Sequence, residues 1–146
     1  SRGLGDVYKR QLLDHPELLT GAVEELLRLT SPVQNLARTT TRDVEIRDVT
    51  IPAGEKVLLL YGSANRDERA FGDDADELDV RRDIDKMLSL GYGAHHCLGA
   101  SAARLQARVA LGRLLERFPD FEVDAAAGRF APGGFVRRYE SLPFTT

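Results

Sequence analysis

The amino-acid sequence predicts a mainly helical fold with small β-sheets, an α+β arrangement of 146 residues. Two segments, 20–30 and 98–117, carry apolar residues three and four positions apart, which is the spacing of one helix face. Short apolar runs between and after them are bounded by turn residues, a pattern typical of short strands. These runs lie at 44–46, 49–51, 56–61 and 121–123, and a final strand is expected over 138–144.

The composition indicates a soluble globular chain. Apolar residues make up 42% and charged residues 29% of the sequence, which argues against disorder. The net charge of −3 gives no bulk electrostatic case for nucleic-acid binding. No run of eighteen apolar residues is present, so no membrane span is expected, and a single cysteine cannot form an internal disulfide. Both features favour a cytoplasmic protein.

The first ten residues do not fit the pattern of the rest. Residues 1–10 show neither a helical nor a strand period, whereas a coherent pattern begins at Gln11. We therefore divide the chain into a non-native leader over 1–10 and a folded portion over 11–146. A disordered natural terminus is the alternative interpretation of the leader.

The two helical segments predict which side chains are buried. In the first, Thr20 is a candidate N-cap, and Ser31 with Pro32 ends the helix. Glu25 and Arg28 stand three apart there, a spacing that by itself indicates a solvated surface pair. In the second helix the expected buried stripe consists of Leu98, Ala102, Leu105, Val109 and either Leu114 or Leu115.

Other side chains are expected at the surface. Three arginines lie off the apolar stripe of the second helix and are read as a solvated face, namely Arg104, Arg108 and Arg113. The apolar run over 56–61 has the length of a strand buried on both faces. A short helix is expected over 63–67, which contains the triplet Asn65, Arg66 and Asp67.

The stretch from Leu90 to Gly99 carries the chemistry. It holds the only cysteine, Cys97, together with three glycines and two histidines, immediately before the long helix. Unpaired N–H groups and the positive end of the helix dipole at a helix start favour the thiolate, the form that binds metals. A small buried hydrophobe, a zinc site with His15, His95 and His96, and a nucleophilic Cys-His pair are the alternatives.

The spacing Gly91-x-Gly93-x-His95-x-Cys97-Leu98-Gly99 resembles the haem-binding loop of the cytochrome P-450 family, most closely its soluble bacterial type. The resemblance implies that Cys97 is the axial ligand of the iron in haem, iron protoporphyrin IX, and that His95 binds a propionate. Leu90 stands where the family usually has Phe, which keeps this contact apolar but loosens it. The glycines of this loop, Gly91, Gly93 and Gly99, would lie against the cofactor.

Other segments resemble the family in the same order along the chain. Glu25 and Arg28 match its ExxR motif, whose members are buried with a second arginine; we place that role on Arg82, with Arg81 as the rival. Arg38 matches the arginine that binds a propionate. The implied substrate pocket consists of Val33, Gln34, Asn35, Leu36, Phe135 and Val136.

The resemblance implies a haem-thiolate monooxygenase that inserts one oxygen atom from O₂ into a small organic substrate. Reduced nicotinamide would supply electrons through a ferredoxin or flavodoxin and its reductase, and Arg104, Arg108 and Arg113 would be part of the docking surface. The protein would be a monomer. A peroxide-driven hydroxylase and a haem-free remnant with a structural or interaction role are the alternatives.

The resemblance covers only the C-terminal part of the family fold. The family's long central helix, with its acid–alcohol pair for oxygen protonation, would precede Gln11. We therefore expect the isolated chain to bind haem weakly and to be inactive.

Overall fold

The computed structural model describes the backbone of residues 2–146 and the side chains from residue 5 onward. Within this range the helices are α1 (Arg2–Asp14), α2 (Leu19–Thr30), α3 (Tyr61–Ala64), α4 (Glu68–Phe71) and α5 (Ala100–Arg117). Two 3₁₀ turns lie at Pro16–Leu18 and Gly93–His95. The strands are β1 (Leu36–Thr39), β2 (Val44–Ile46), β3 (Val49–Ile51), β4 (Lys56–Leu59), β5 (Glu122–Val123), β6 (Arg129–Phe130), β7 (Tyr139–Ser141) and β8 (Phe144–Thr145).

The strands of the described chain form two-stranded antiparallel sheets. β1 pairs with β4, β2 with β3, β5 with β8 and β6 with β7. In the first sheet Leu36 lies opposite Leu59, and Arg38 lies opposite Val57. Helices dominate and the sheets are small, so the predicted α+β class is confirmed.

The leader is helical from Arg2 onward, as part of α1, although its sequence shows no helical period. A tertiary contact contributes to this order, because the Nζ of Lys9 donates to the backbone oxygen of Phe121 at 3.0 Å and lies 5.1 Å from the centre of its ring. Such contacts can outweigh a weak local pattern. That residues 1–10 are non-native remains a prediction.

Helix α2 packs against α5 and forms the centre of the small core. Ala22 and Val23 of α2 and Leu115 of α5 are buried. Gly112 permits the close approach, since a Cβ there would lie 3.3 Å from the Cδ2 of Leu19. Helix α2 begins at Leu19 without a side-chain cap, so the capping role predicted for Thr20 is wrong.

The end of α2 is set by Ser31. This residue has φ 39° and ψ 71°, and its N–H donates to the oxygen of Leu27 at 3.0 Å. The left-handed conformation turns the chain sharply, and Pro32 then prevents the helix from continuing. The predicted boundary at Ser31 and Pro32 is confirmed.

The stripe predicted to be buried on α5 is largely exposed. Leu98 is fully exposed, and Leu105 and Val109 are more than half exposed. Of the predicted stripe Leu115 is buried, and the other buried residue of the helix is Ala100. Helix α5 contacts α2 and α1, and the exposure of Leu105 and Val109 shows that these neighbours do not cover the side of the helix that carries them.

The apolar run that includes β4 is also exposed, although it was expected to be buried on both faces. Leu58 and Leu60 are more than half exposed, whereas Tyr61, which begins α3, is buried. Strand β4 has β1 as its partner in a two-stranded sheet, and such a sheet covers little of its own surface. No helix within residues 2–146 is both long and apolar enough to cross a lipid bilayer.

Candidate functional site

A buried ion pair on α2 is the best-defined polar feature of the molecule. Glu25 and Arg28 stand three positions apart, so both project from one face of the helix, and neither side chain is accessible to solvent. The Nε of Arg28 donates to Oε2 of Glu25 at 2.6 Å, and Nη2 donates to Oε1 at 2.8 Å. The alternative of a solvated surface pair is therefore wrong.

The remaining donors of Arg28 bind backbone carbonyls. Its Nη1 donates to the oxygens of Asn65 at 2.6 Å and Ala75 at 2.7 Å, and Nη2 reaches that of Glu77 at 3.3 Å. The guanidinium carbon also lies 4.9 Å from the ring centre of Phe71. All N–H groups of the fork are thus used, which is what burial of a permanent charge requires.

Arg82, not its neighbour Arg81, completes the cluster. The Nε of Arg82 donates to Oε1 of Glu25 at 3.2 Å, while its terminal nitrogens bind the backbone oxygen of Phe71 at 2.7 Å and Asp74 at 3.0 Å. Arg81 is exposed, and its N–H donates to the side chain of Asp79. The segment over 71–82 is therefore fastened to α2 through the carboxylate of Glu25.

The carboxylate of Glu25 is held in its charged form. Burial by itself would raise the pKa of Glu25, but hydrogen bonds from Arg28, from the N–H of Asp79 at 3.0 Å and from Arg82 outweigh it and hold the pKa below its ordinary value. The hydrogen bond to Asp74 raises the pKa of Arg82, and Glu25 adds to this effect. The cluster accordingly stays ionised at neutral pH.

The cysteine loop is shaped by its backbone. Gly91 has φ 72° and Gly93 has φ 63°, values that favour glycine, and a Cβ at Gly91 would lie 3.0 Å from the oxygen of His95. The N–H of Gly91 donates to the oxygen of Leu88 at 2.9 Å, and that of Cys97 donates to Leu90 at 2.7 Å. Leu90 therefore contributes its carbonyl to the turn, whatever side chain it carries.

Cys97 is exposed and lies three positions before Ala100, the first residue of α5. The alternative of a small buried hydrophobe is therefore wrong. A zinc site is also disfavoured: His15 lies beside Glu17 at 3.1 Å, and residues 2–146 contain no group of three or more His, Cys, Asp or Glu side chains arranged to hold a metal.

The residues around Cys97 fit a flat, mainly apolar group that carries one metal atom. The thiol is accessible, and two residues of the same loop that carry apolar side-chain surface, Tyr92 and Leu98, are 74% and 103% exposed. A Cβ at Gly99 would lie 3.8 Å from the Sγ of Cys97, which is an ordinary van der Waals distance. A thiolate with open space and apolar neighbours suits a haem iron.

Two residues are predicted to bind propionates, Arg38 and His95. No hydrogen bond joins them in the part of the chain that the structure describes. Arg38 is half-buried on β1, and its one hydrogen bond to another described residue runs from Nη1 to the oxygen of Ala37 at 2.9 Å. His95 is exposed at the end of the second 3₁₀ turn. Both side chains therefore keep donors available for a ligand.

The two segments predicted to line a substrate pocket lie against each other. Val33 forms an isolated antiparallel bridge with Val136, and the N–H of Gln34 donates to the oxygen of Phe135 at 3.2 Å. Phe135 is 51% and Val136 36% exposed. The chain thus brings together apolar residues that lie about a hundred positions apart in sequence.

The remaining predicted pocket residues extend this pairing. The side-chain amide of Asn35 donates to the oxygen of Gly134 at 3.2 Å, and Leu36 begins β1. An open depression of about 270 Å³ lies beside the bridge, and it is lined by Gln34, Phe130, Ala131, Gly133, Gly134, Val136 and Arg137.

An ion pair that the sequence does not predict joins the two central helices, α2 and α5. Arg104 was expected on a solvated face, but its Nε and Nη2 bind both carboxylate oxygens of Glu24 at 2.6 and 2.9 Å. The hydrogen bond to Glu24 raises the pKa of Arg104, and charge interactions with Glu24 and Cys97 add to it. No local pattern could have indicated a pair separated by 80 positions.

Asn65 was also missed as a structural centre. It is 1% exposed and bonds simultaneously to α2 and to the segment before the cysteine loop. The sequence offered one indication of its importance, the triplet that Asn65 forms with Arg66 and Asp67. The triplet alone does not predict what Asn65 binds. Arg66 donates to the oxygen of Leu29 at 2.7 Å and also pairs with Asp76.

Comparison with known proteins places these features in a family. The model of the cytochrome P-450 family matches residues 4–127. Cytochrome P-450 130 of Mycobacterium tuberculosis is 65% identical over 136 residues, which cover 93% of this chain and 34% of that protein. A steroid C26-monooxygenase of Mycolicibacterium smegmatis is 43% identical over 128 residues, covering 87% of this chain and 32% of that one.

Solved structures agree with the sequence comparison. The P-450 monooxygenase TamI bound to tirandamycin C superposes with a TM-score of 0.87 at 44% identity, covering 93% of this chain and 35% of that chain. P-450 BioI in complex with a fatty-acyl-ligated acyl carrier protein gives a TM-score of 0.87 at 44% identity, with 92% and 35% covered. The chain spans about a third of the length of these relatives, and it belongs to the cytochrome P-450 family.

Proposed function

We propose that this chain is the haem-thiolate portion of a monooxygenase, with Cys97 as the axial ligand of the iron. The supporting observation is an exposed thiol that follows the left-handed turns at Gly91 and Gly93 and lies three positions before the start of α5. When bound, a haem with a thiolate ligand supplies oxygen activation, because the thiolate donates electron density that favours O–O cleavage. The reaction of the whole protein would insert one atom of O₂ into a small organic substrate.

The loop residues would hold the cofactor in distinct ways. Cys97 presents its sulfur, and Gly99 leaves space beside it. Gly91 and Gly93 supply the left-handed turns that bring the backbone close to a flat ligand. Leu90 would offer an apolar contact where an aromatic ring is usual, and it accepts the N–H of Cys97 through its carbonyl.

Arg38 and His95 would bind the propionates. The free donors of the Arg38 guanidinium suit a carboxylate, because its fork can form two parallel hydrogen bonds with one carboxylate group. The exposed ring of His95 can donate a further hydrogen bond. Each contact would fix the plane of the porphyrin relative to the thiolate.

The cluster of Glu25, Arg28 and Arg82 would act at a distance from the cofactor. It ties α2 to the segment over 71–82 through buried, charge-assisted hydrogen bonds. We assign it a structural role, which is to keep fixed the frame against which the cysteine loop is built.

The proposed substrate is a small, mainly apolar organic molecule. Its pocket would be formed in part by Val33, Gln34, Asn35, Leu36, Phe135 and Val136, whose two segments the bridge joins. The relatives support this size class, because one is named for action on a steroid and two structures hold tirandamycin C or a fatty-acyl chain.

We further propose that reduced nicotinamide supplies electrons through a ferredoxin or flavodoxin and its reductase, in a cytoplasmic and monomeric enzyme. Peroxide-driven hydroxylation is the alternative within the same chemistry.

The surface of α5 that would dock the electron donor is smaller than the sequence predicts. Arg104 is paired with Glu24, which weakens its docking role, whereas Arg108 on α5 is exposed.

A haem titration of the purified chain tests the proposal. We expect weak binding, a thiolate-type Soret band after reduction in carbon monoxide, and no substrate turnover. Cys97→Ser should remove that band and leave the circular dichroism spectrum unchanged, because the thiol is exposed.

His96→Ala is the matched control, since its ring lies in the same loop and bonds only weakly to the oxygen of Gly91 at 3.3 Å. It should retain the thiolate band. An identical spectrum in Cys97→Ser would contradict the assigned ligand, and no thiolate band in the unaltered chain would favour the haem-free module.

A further inference from the structure

A single buried amide, Asn65, connects the ion-pair cluster with the cysteine loop. Asn65 follows α3 and is 1% exposed. Its Oδ1 accepts the N–H of Leu88 at 2.7 Å, and its Nδ2 donates to the hydroxyls of Ser31 and Ser89, each at 2.8 Å. A backbone N–H can only donate, so the oxygen of the amide must face Leu88 and the orientation of the side chain is fixed.

On one side Asn65 is bound to the last turn of α2. Ser31 Oγ donates to the oxygen of Arg28 at 2.8 Å, and Ser89 Oγ donates to that of Leu27 at 2.6 Å. The backbone oxygen of Asn65 also accepts Nη1 of Arg28 at 2.6 Å. The buried guanidinium and the buried amide are therefore directly connected.

On the other side Asn65 holds the segment that leads into the cysteine loop. Leu88, which donates to Asn65, accepts the N–H of Gly91 at 2.9 Å. Leu90 follows two residues later and accepts the N–H of Cys97 at 2.7 Å. The position of Leu88 and Ser89 thus determines where the carbonyls lie that hold Gly91 and Cys97 in place.

We propose that Asn65 is a positioning residue for Cys97, and that it transmits the fixed geometry of the Glu25–Arg28 pair to the thiol through Leu88 and Ser89. An amide suits this role because it offers one acceptor and two donors at one buried point, without a charge. Neither aspartate nor leucine offers that combination. The inference rests on the proposed function in one respect, which is that Cys97 is taken to be a metal ligand.

The two serines around Asn65 provide a matched pair of variants. Each hydroxyl accepts from Nδ2 at the same distance and donates to a backbone oxygen near the end of α2. Ser89 belongs to the segment that precedes the loop, whereas Ser31 lies at the end of α2. Ser89→Ala and Ser31→Ala therefore make the same chemical change on opposite sides of the amide.

Residue-resolved amide hydrogen exchange of the chain without haem is the test. The amides of Gly91 and Cys97 report on the loop, and that of Phe118, bonded to Leu114 at 2.9 Å, serves as the reference at the far end of α5. Relative to this reference, we expect Asn65→Ala to speed exchange of both loop amides about tenfold and Ser89→Ala about threefold to tenfold, as the loss of one or two hydrogen bonds implies. Ser31→Ala should change their relative exchange less than about twofold, because it leaves the contacts to Leu88 and Ser89 in place.

If Asn65→Ala does not fold, the serine pair decides the question. Equal effects of the two serine variants on the loop amides, or no effect of Ser89→Ala, would overturn the proposal. The measurement needs no haem, so it can fail while the proposed monooxygenase function stands, and it can succeed if that function is wrong.

Discussion

The ion-pair cluster around Glu25 and the loop around Cys97 are constructed in opposite ways. In the cluster the side chains carry the structure: Glu25 and Arg28 are inaccessible to solvent, and their charged atoms are fully bonded. In the loop the backbone carries the structure, and every residue from Tyr92 to Leu98 is exposed. The difference indicates that the chain keeps its buried ion pairs and its exposed thiol in separate regions, and Asn65 bonds to Arg28 of the cluster and to Leu88 before the loop.

This contrast has an energetic consequence. Removing one partner from a buried ion pair leaves an uncompensated charge, whereas changing an exposed side chain removes little. Variants in the cluster should therefore alter the free energy of unfolding, and variants at exposed apolar positions should scarcely alter it.

The largest effect is expected for Arg28→Ala. This change leaves the buried carboxylate of Glu25 with Arg82 as its remaining cationic partner and leaves the carbonyls of Asn65 and Ala75 without their donor. We expect a loss of about 3–5 kcal/mol in the free energy of unfolding, measured by urea denaturation. Arg113→Ala, which removes an exposed pair with Glu116, is the control and should cost less than about 1 kcal/mol. Similar losses for both variants would show that the two regions do not differ.

A smaller, pH-dependent effect is expected at Glu25. Its pKa is lowered in the folded protein, so its contribution to stability is complete above the ordinary value of 4.5 and is lost as the pH falls below that value. Glu25→Gln should therefore lose stability at neutral pH and show a weaker decline between about pH 5 and pH 3 than the unaltered chain. Urea midpoints across this range measure the decline. Asp85→Asn, at a 93% exposed side chain, should keep the original slope, and the proposed linkage is wrong if both variants behave alike.

The pair between Glu24 and Arg104 should have an intermediate effect. Both side chains are about two-thirds to three-quarters buried, and the pair is bidentate. A double-mutant cycle with Glu24→Gln and Arg104→Met should give a coupling free energy of about 1 kcal/mol. The same cycle for Arg113 and Glu116 should give about 0.3 kcal/mol, because that pair is exposed on one helix. A coupling no larger than this control would make Arg104 part of a solvated face after all.

The smallest effect is expected on the exposed face of α5. Leu105 is 54% exposed, so Leu105→Ala should change the free energy of unfolding by less than about 1 kcal/mol. Leu115→Ala, at a residue that is 9% exposed on the same helix, should cost about 2–5 kcal/mol. Equal losses at the two positions would restore the stripe predicted from the sequence.

Local sequence patterns predicted the positions of helices and strands better than they predicted which side chains are buried. The strands over 44–46 and 49–51, and the end of α2 at Ser31, follow from apolar runs and turn residues and were obtained with the correct bounds. The helix expected over 63–67 instead lies at Tyr61–Ala64, because the N–H of Asn65 closes the turn on Tyr61. Boundaries of this kind depend on single hydrogen bonds, which sequence patterns do not contain.

Burial was harder to predict because it depends on which neighbour is present. Leu105 and Leu115 are the same residue type on one helix, yet Leu105 is 54% and Leu115 only 9% exposed. A motif of several separated residues predicted Arg28 and Arg82 as the partners of Glu25. The structure contains the contact between Glu25 and Arg82. The role of Asn65 depends on distances to Ser31 and Ser89, so nothing in its local sequence could disclose it.

The two-stranded sheets carry a consequence for handling the molecule. Strands β1 and β4 form a two-stranded sheet, so each has one edge that no other strand of the described chain covers. Strand β4 combines such an edge with exposed leucines at 58 and 59. We therefore expect concentrated solutions of the chain to aggregate edge to edge, and Leu58→Lys to reduce this aggregation.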